Sequence, residues 1–141
     1  MSPVYDKLLV AVDQSKATER VIAAAREMAL LSNGEIWLLH VQEKEVMPRA
    51  GLFDIEPQQE ALWVVEHAAQ ELNDAGVKTH YEVRTAIHGY AAGAIVGAAQ
   101  DHNADIIVMG SRGRSDLAGL LLGSTAHKVI HLADRPVLVV R

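Results

Sequence analysis

The sequence predicts an α/β fold: a single open sheet of five parallel strands, order 3-2-1-4-5, with helices on both faces. Five short strand-like runs alternate with four stretches of helical periodicity, the pattern of parallel strands joined by right-handed crossovers. Four of the five runs are essentially apolar, as strands covered on both faces must be. The other, His80-Tyr81-Glu82-Val83-Arg84, alternates in polarity and belongs at a sheet edge.

The first run is Lys7-Leu8-Leu9-Val10-Ala11-Val12. Asp13-Gln14-Ser15 then reads as a turn, with Ser15 as N-cap. Val21, Ile22, Ala25, Met28 and Ala29 recur at helical spacing until Asn33-Gly34 stops the helix. Ile36-Trp37-Leu38-Leu39-His40-Val41 is the second strand. Residues 43–56, with Met47, Pro48, Gly51, Leu52 and Phe53, read as a flexible flap loop. The next helix sets Leu62, Val65, Ala69 and Leu72 on one face and ends at Gly76. After the edge strand comes a helix with Ile95, Ala98 and Ala99 inward, then the strand Ile106-Ile107-Val108-Met109. Ala126, Val129, Ile130 and Ala133 mark the last helix, and Pro136 precedes the strand Val137-Leu138-Val139-Val140.

The bulk properties narrow the function. The 141 residues predict one domain, 1–141. Aromatic residues are only 4% of the chain, so the core must be built from Ala, Val, Leu and Ile. The absence of cysteine excludes a disulfide framework, a thiolate nucleophile and cysteine-rich metal sites. A net charge of −5 argues against a nucleic-acid partner, which needs a basic footprint. No apolar run approaches the ~18 residues of a membrane span, and the stretch Met1–Lys7 does not read as a signal peptide. The expected location is the cytoplasm. The final strand, 137–140, is an edge in the predicted order yet carries no protecting charge. It is expected to pair with its copy in a homodimer.

In the order 3-2-1-4-5 the winding reverses between strands 1 and 4, and a crevice opens past their carboxyl ends. Asp13 and Gly110 stand there, with Val12 and Met109 beside them. Gly110 and Gly113 are followed, after nine residues, by Gly123-Ser124-Thr125 opening a helix. Glycines let backbone N–H groups approach phosphate oxygens that a Cβ would hold away. A helix start favours an anion, Ser124 and Thr125 add hydroxyl donors, and Arg112 and Arg114 add charge. The same residues also fit a plain strand-to-loop turn with a helix cap, and Asp13 fits a cap as well as a ligand contact. Neither a Walker A loop nor a dinucleotide fingerprint is present.

With Leu8–Asp13, Ile106–Gly110 and Pro136–Val140, this loop resembles the universal stress protein family, specifically its ATP-binding branch, which carries Gly-x2-Gly-x9-Gly-Ser/Thr. The resemblance implies ATP with Mg²⁺ as the cofactor, Asp13 against the nucleoside, the Val41 backbone against adenine, and phosphates on the glycine loop. The implied binding residues are Val12, Asp13, Val41, Met109, Gly110, Arg112, Gly113, Gly123, Ser124 and Thr125. Gln14 departs from the family, which commonly has glycine there. Such proteins bind ATP, commonly dimerise, and regulate more than they catalyse. A slow ATPase or self-phosphorylating enzyme using Ser124 or Thr125 is the alternative, with cyclic AMP as another ligand and a scaffold without ATP as a further reading.

No catalytic residue is assigned, since no Gly-x-Ser-x-Gly elbow occurs. Asp116 suits a water-mediated Mg²⁺ contact or a turn cap equally. His127 and His131 stand at helical ligand spacing without a completing carboxylate and read as a solvated face. His40 reads as a hydrogen-bonded core or rim residue, and His88 as either a pocket border or a turn residue. His67, His80 and His102 read as surface.

Overall fold

Leu8, Leu9 and Val10 are wholly buried, so the first strand, β1 (Lys7–Ala11), is covered on both faces and sits at the sheet's centre. The computed structural model describes residues 5–54, 57–112 and 122–141, without the side chains of Phe53 and Asp54. The other elements are α1 (Ala17–Ser32), β2 (Glu35–Met47), β3 (Gly51–Asp54), α2 (Gln58–Asp74), β4 (Thr79–Ile87), α3 (Ala91–Asp101), β5 (Ile106–Gly110), α4 (Ser124–Leu132) and β6 (Val137–Val140).

The parallel strands run β4-β2-β1-β5-β6, the predicted order once β3 is set aside. β1 pairs with β2 from Lys7↔Glu35 and with β5 from Leu8↔Ile106, so the two strands expected at the centre lie side by side. Alternation along β1 feeds two cores. Leu8 and Val10 join Val21 and Ala25 of α1 and Val65 and Leu72 of α2. Leu9 faces the other way, with Ile95 and Ala99 of α3 and Ala126 and Val129 of α4. Helices therefore cover both faces.

Three expectations need correction. The sheet has six strands, because residues 43–56 are not simply a loop: β2 continues to Met47 and β3 returns antiparallel against it. Arg49 (φ 70°) and Gly51 (φ 87°) take left-handed conformations that fold the chain back. Val46, Met47 and Leu52 are exposed on this arm, which explains why no buried-strand pattern announces it. Lys44 is paired to Ile87 of β4 and also to Asp54 of β3. A strand has two edges, so β3 occupies the edge that β1 takes lower down. Next, Leu62 and Ile130 are exposed, and Ala61, Val64 and Ala68 join the buried face of α2 instead. Finally, His80 and His102 stack on Trp37 at 4.4 and 3.8 Å and are part-buried. Burial alone would raise the Glu35 carboxyl, but the bond from His80 and the Lys78 charge outweigh it and hold it below its usual range.

Asn33 ends α1 in the left-handed conformation (φ 53°). Gly34 serves close approach instead, since a Cβ there would overlap the Tyr5 carbonyl oxygen and crowd that of Asp6. Both obstacles are backbone. Gly34→Ala is therefore expected to cost about 1–3 kcal/mol, the usual range for overpacking, read as a lower urea midpoint with an unchanged slope.

Candidate functional site

β1 stops at Ala11 and β5 at Gly110, while β2 runs on past both. On its β1 edge, β2 is paired as far as Leu39 and again from Lys44. Between these points no strand faces that edge among the described residues. The Leu39 carbonyl accepts the Val12 N–H at 2.9 Å, so the backbone groups of Leu39 point toward β1. Direction alternates along a strand, so the N–H and C=O of Val41 point the same way, into the gap. The gap opens into a cleft of about 600 Å³, a volume ordinary for a small-molecule site.

The turn from β1 to α1 is built on Asp13. Its Oδ1 accepts the Ser15 N–H at 2.8 Å, and its own N–H donates to Thr18 Oγ1 at 3.0 Å. The Thr18 hydroxyl returns a bond to the Asp13 carbonyl at 2.7 Å. Ser15 is not the N-cap: Lys16 holds that position, with no side-chain cap bond. Asp13 outcompetes Ser15 because an aspartate readily bonds the backbone two residues on. Ser15 Oγ is left buried without a partner, and Ser15 lines the cleft. Asp13 thus has the turn-forming role and also borders the cleft.

Val12 is used differently. Its N–H is bonded to Leu39, its carbonyl accepts His40 Nδ1 at 2.9 Å, and its side chain is in the core. A carbonyl only accepts, so Nδ1 of the buried His40 carries the proton. Val12 offers the cleft a wall.

At the opposite end stands α4. Gly123 is its N-cap, and the first intrahelical bond runs from His127 N–H to the Gly123 carbonyl at 3.0 Å. The N–H groups of Ser124, Thr125 and Ala126 therefore have no acceptor within the helix, and Gly123 has no side chain to cap them. All three residues line the cleft, with Met109, Gly110 and Arg112 beside them. The Gly123 N–H itself is bonded to the Ser111 carbonyl. The donors at this end are those of the next three residues, not of Gly123. Gly110 also has a local reason to be glycine, because a Cβ would lie 3.1 Å from the Arg112 carbonyl and against Val21 and Ala17 of α1.

Val12, Asp13, Val41, Met109, Gly110, Arg112, Gly123, Ser124 and Thr125 all border this one cleft. Gly113, Arg114 and Asp116 lie outside the described residues. The sequence reading missed Glu43, Ser111 and Ser15 as lining residues. Ser111 sat inside the glycine motif, whereas Glu43 carried no signal before β2 was known to extend. His88 does border the cleft. Its Nδ1 lies 3.0 Å from Glu43 Oε2, and its N–H donates to the Lys44 carbonyl at 2.8 Å. No cluster of three metal-ligating side chains occurs among the described residues, and none of their helices is long and apolar enough to cross a membrane.

Known proteins share both the sequence and this architecture. Universal stress protein MJ0577 of Methanocaldococcus jannaschii is 34% identical, the alignment covering 100% of this chain and 98% of that protein. Its solved structure superposes with a TM-score of 0.79 at 29% identity over 97% of this chain and 96% of that one. The Archaeoglobus fulgidus universal stress protein in complex with dAMP gives a TM-score of 0.74 at 26% identity, covering 98% and 99%. A universal stress protein in complex with cAMP gives 0.69 at 26% identity, covering 97% of both chains. Residues 4–141 match the profile of the Universal stress protein family, and this chain belongs to that family.

Proposed function

We propose that the protein is an ATP-binding regulator of the stress response whose nucleotide lies in the crevice between β1 and β5. The observation that carries this reading is the two-ended chemistry of the cleft. One end offers the three N–H groups that open α4, where the helix dipole also favours an anion. The other offers the N–H and C=O of Val41, one donor and one acceptor, which suit the edge of an adenine. Between them lies the Asp13 carboxylate, which suits ribose hydroxyls. The relatives solved with dAMP and cAMP support an adenine nucleotide.

Mg²⁺ would arrive with the phosphates, since that ion keeps its waters and needs few protein ligands. The regulator reading includes a homodimer joined through β6 and a cytoplasmic location. The net charge of −5 fits a partner other than nucleic acid. Denaturing freshly purified protein and identifying the released small molecules by mass tests the ligand directly; a protein that never carries or binds an adenine nucleotide would refute it.

Asp13 gives a sharper test. Asp13→Ala is expected to weaken ATP by about 1.5–3 kcal/mol, the range for a bond to a charged group. It is also expected to cost about 1 kcal/mol of stability through the lost turn bonds. Calorimetric titration with parallel melting curves separates the two. Stability loss with unchanged intrinsic affinity would leave Asp13 a turn residue only.

A further inference from the structure

The cleft end remote from α4 holds a second pair of side chains. β2 and β4 run together as far as Lys44↔Ile87, which places Glu43 beside the first residue past β4, His88. The His88–Lys44 backbone bond fixes that residue, and the imidazole Nδ1 meets Glu43 Oε2 at 3.0 Å. Both residues line the cleft. From β5 to β4 there are three strand spacings, about 14 Å. A carboxylate repels phosphate, so Glu43 sets the polarity: phosphates toward α4, base toward the pair.

We propose that the Glu43–His88 pair selects the base, favouring a purine with an exocyclic amine over one with a keto group. The inference rests on the nucleotide reading above and names side chains that read its base. An ionised carboxylate only accepts, so Nδ1 of the ring donates to it and carries the proton. In the neutral imidazole Nε2 then holds a lone pair. Beside the Val41 N–H, a donor, this end of the cleft presents three acceptors: Nε2, the carboxylate of Glu43, and the Val41 carbonyl. The two N–H donors of an exocyclic amine can meet two of them. A keto oxygen sets acceptor against acceptor at the pair, leaving groups unsatisfied on both sides there.

The test compares ATP with ITP, in which a keto group replaces the amine and N1 gains a proton, by calorimetric titration with Mg²⁺ in the parent and in variants of the pair. The parent protein, His88→Ala and Glu43→Ala are titrated, with unliganded melting curves to show that each is folded. The His88 side chain is 59% exposed and Glu43 30%, so both variants should fold. The parent is expected to prefer ATP about tenfold, the scale of one good hydrogen bond. Both variants should lose much of that preference, chiefly by losing ATP affinity, the remainder resting on the Val41 backbone. Equal binding of ATP and ITP by the parent, or a preference undiminished in His88→Ala, overturns the proposal while leaving nucleotide binding intact. Failure of the parent to bind either nucleotide overturns the underlying reading instead.

Discussion

Gly123→Val is expected to erase most of the thermal stabilisation that ATP gives this protein. At about a hundred times its dissociation constant, MgATP should stabilise the parent by about 2.7 kcal/mol. For a domain of this size that is a rise of about 8–10 °C in the melting midpoint. Gly123 has φ −71° and ψ 163°, extended backbone that valine adopts without strain, so the unliganded variant should still melt cooperatively. Its isopropyl group, however, stands at the N-cap, directly before the three N–H groups expected to hold phosphate. Adenosine, lacking phosphates, should lose much less between parent and variant. An unchanged ATP shift in the variant would falsify the phosphate assignment. No shift in the parent at millimolar ATP would favour a scaffold that has lost its ligand.

Val139→Lys is expected to convert a homodimer into a monomer. β6 is hydrogen-bonded to β5 on one edge, and no strand covers its other edge among the described residues. Its four residues are all apolar and partly exposed, whereas unpaired edges in soluble proteins usually carry charge. Two copies related by a two-fold axis can pair these edges and bury the apolar side chains together. Like-charged lysines brought close across that axis would oppose the pairing. Light scattering on a sizing column at tens of micromolar reads the result, with far-ultraviolet dichroism confirming that the helices remain. A monomeric parent under those conditions would sink the assignment.

What the sequence disclosed follows from burial. β1, β2, β5 and β6 stood out because helices cover the sheet on both sides, which demands unbroken apolar runs. The half-polar β4 disclosed its edge position for the same reason. The β2–β3 arm did not, because Glu43 and Lys44 are only partly buried and Glu45 is exposed, and an exposed hairpin imposes no pattern. The site divides in the same way. Asp13, Gly110 and Ser124 could be placed because strand ends and helix starts are local features. Glu43 and His88 could not be joined, since their meeting depends on how far two separate strands stay in register. The motif also concealed a division of labour: Gly123 was expected to present its N–H outward, yet that group ties back to Ser111.

That tie makes Ser111 a junction. Its N–H donates to the Val140 carbonyl and its carbonyl accepts the Gly123 N–H, so one buried residue past the end of β5 fastens both the end of β6 and the start of α4. The strand expected to form the dimer seam and the helix start that faces the cleft therefore hang on the same residue, and neither can shift without disturbing the other's hydrogen bond.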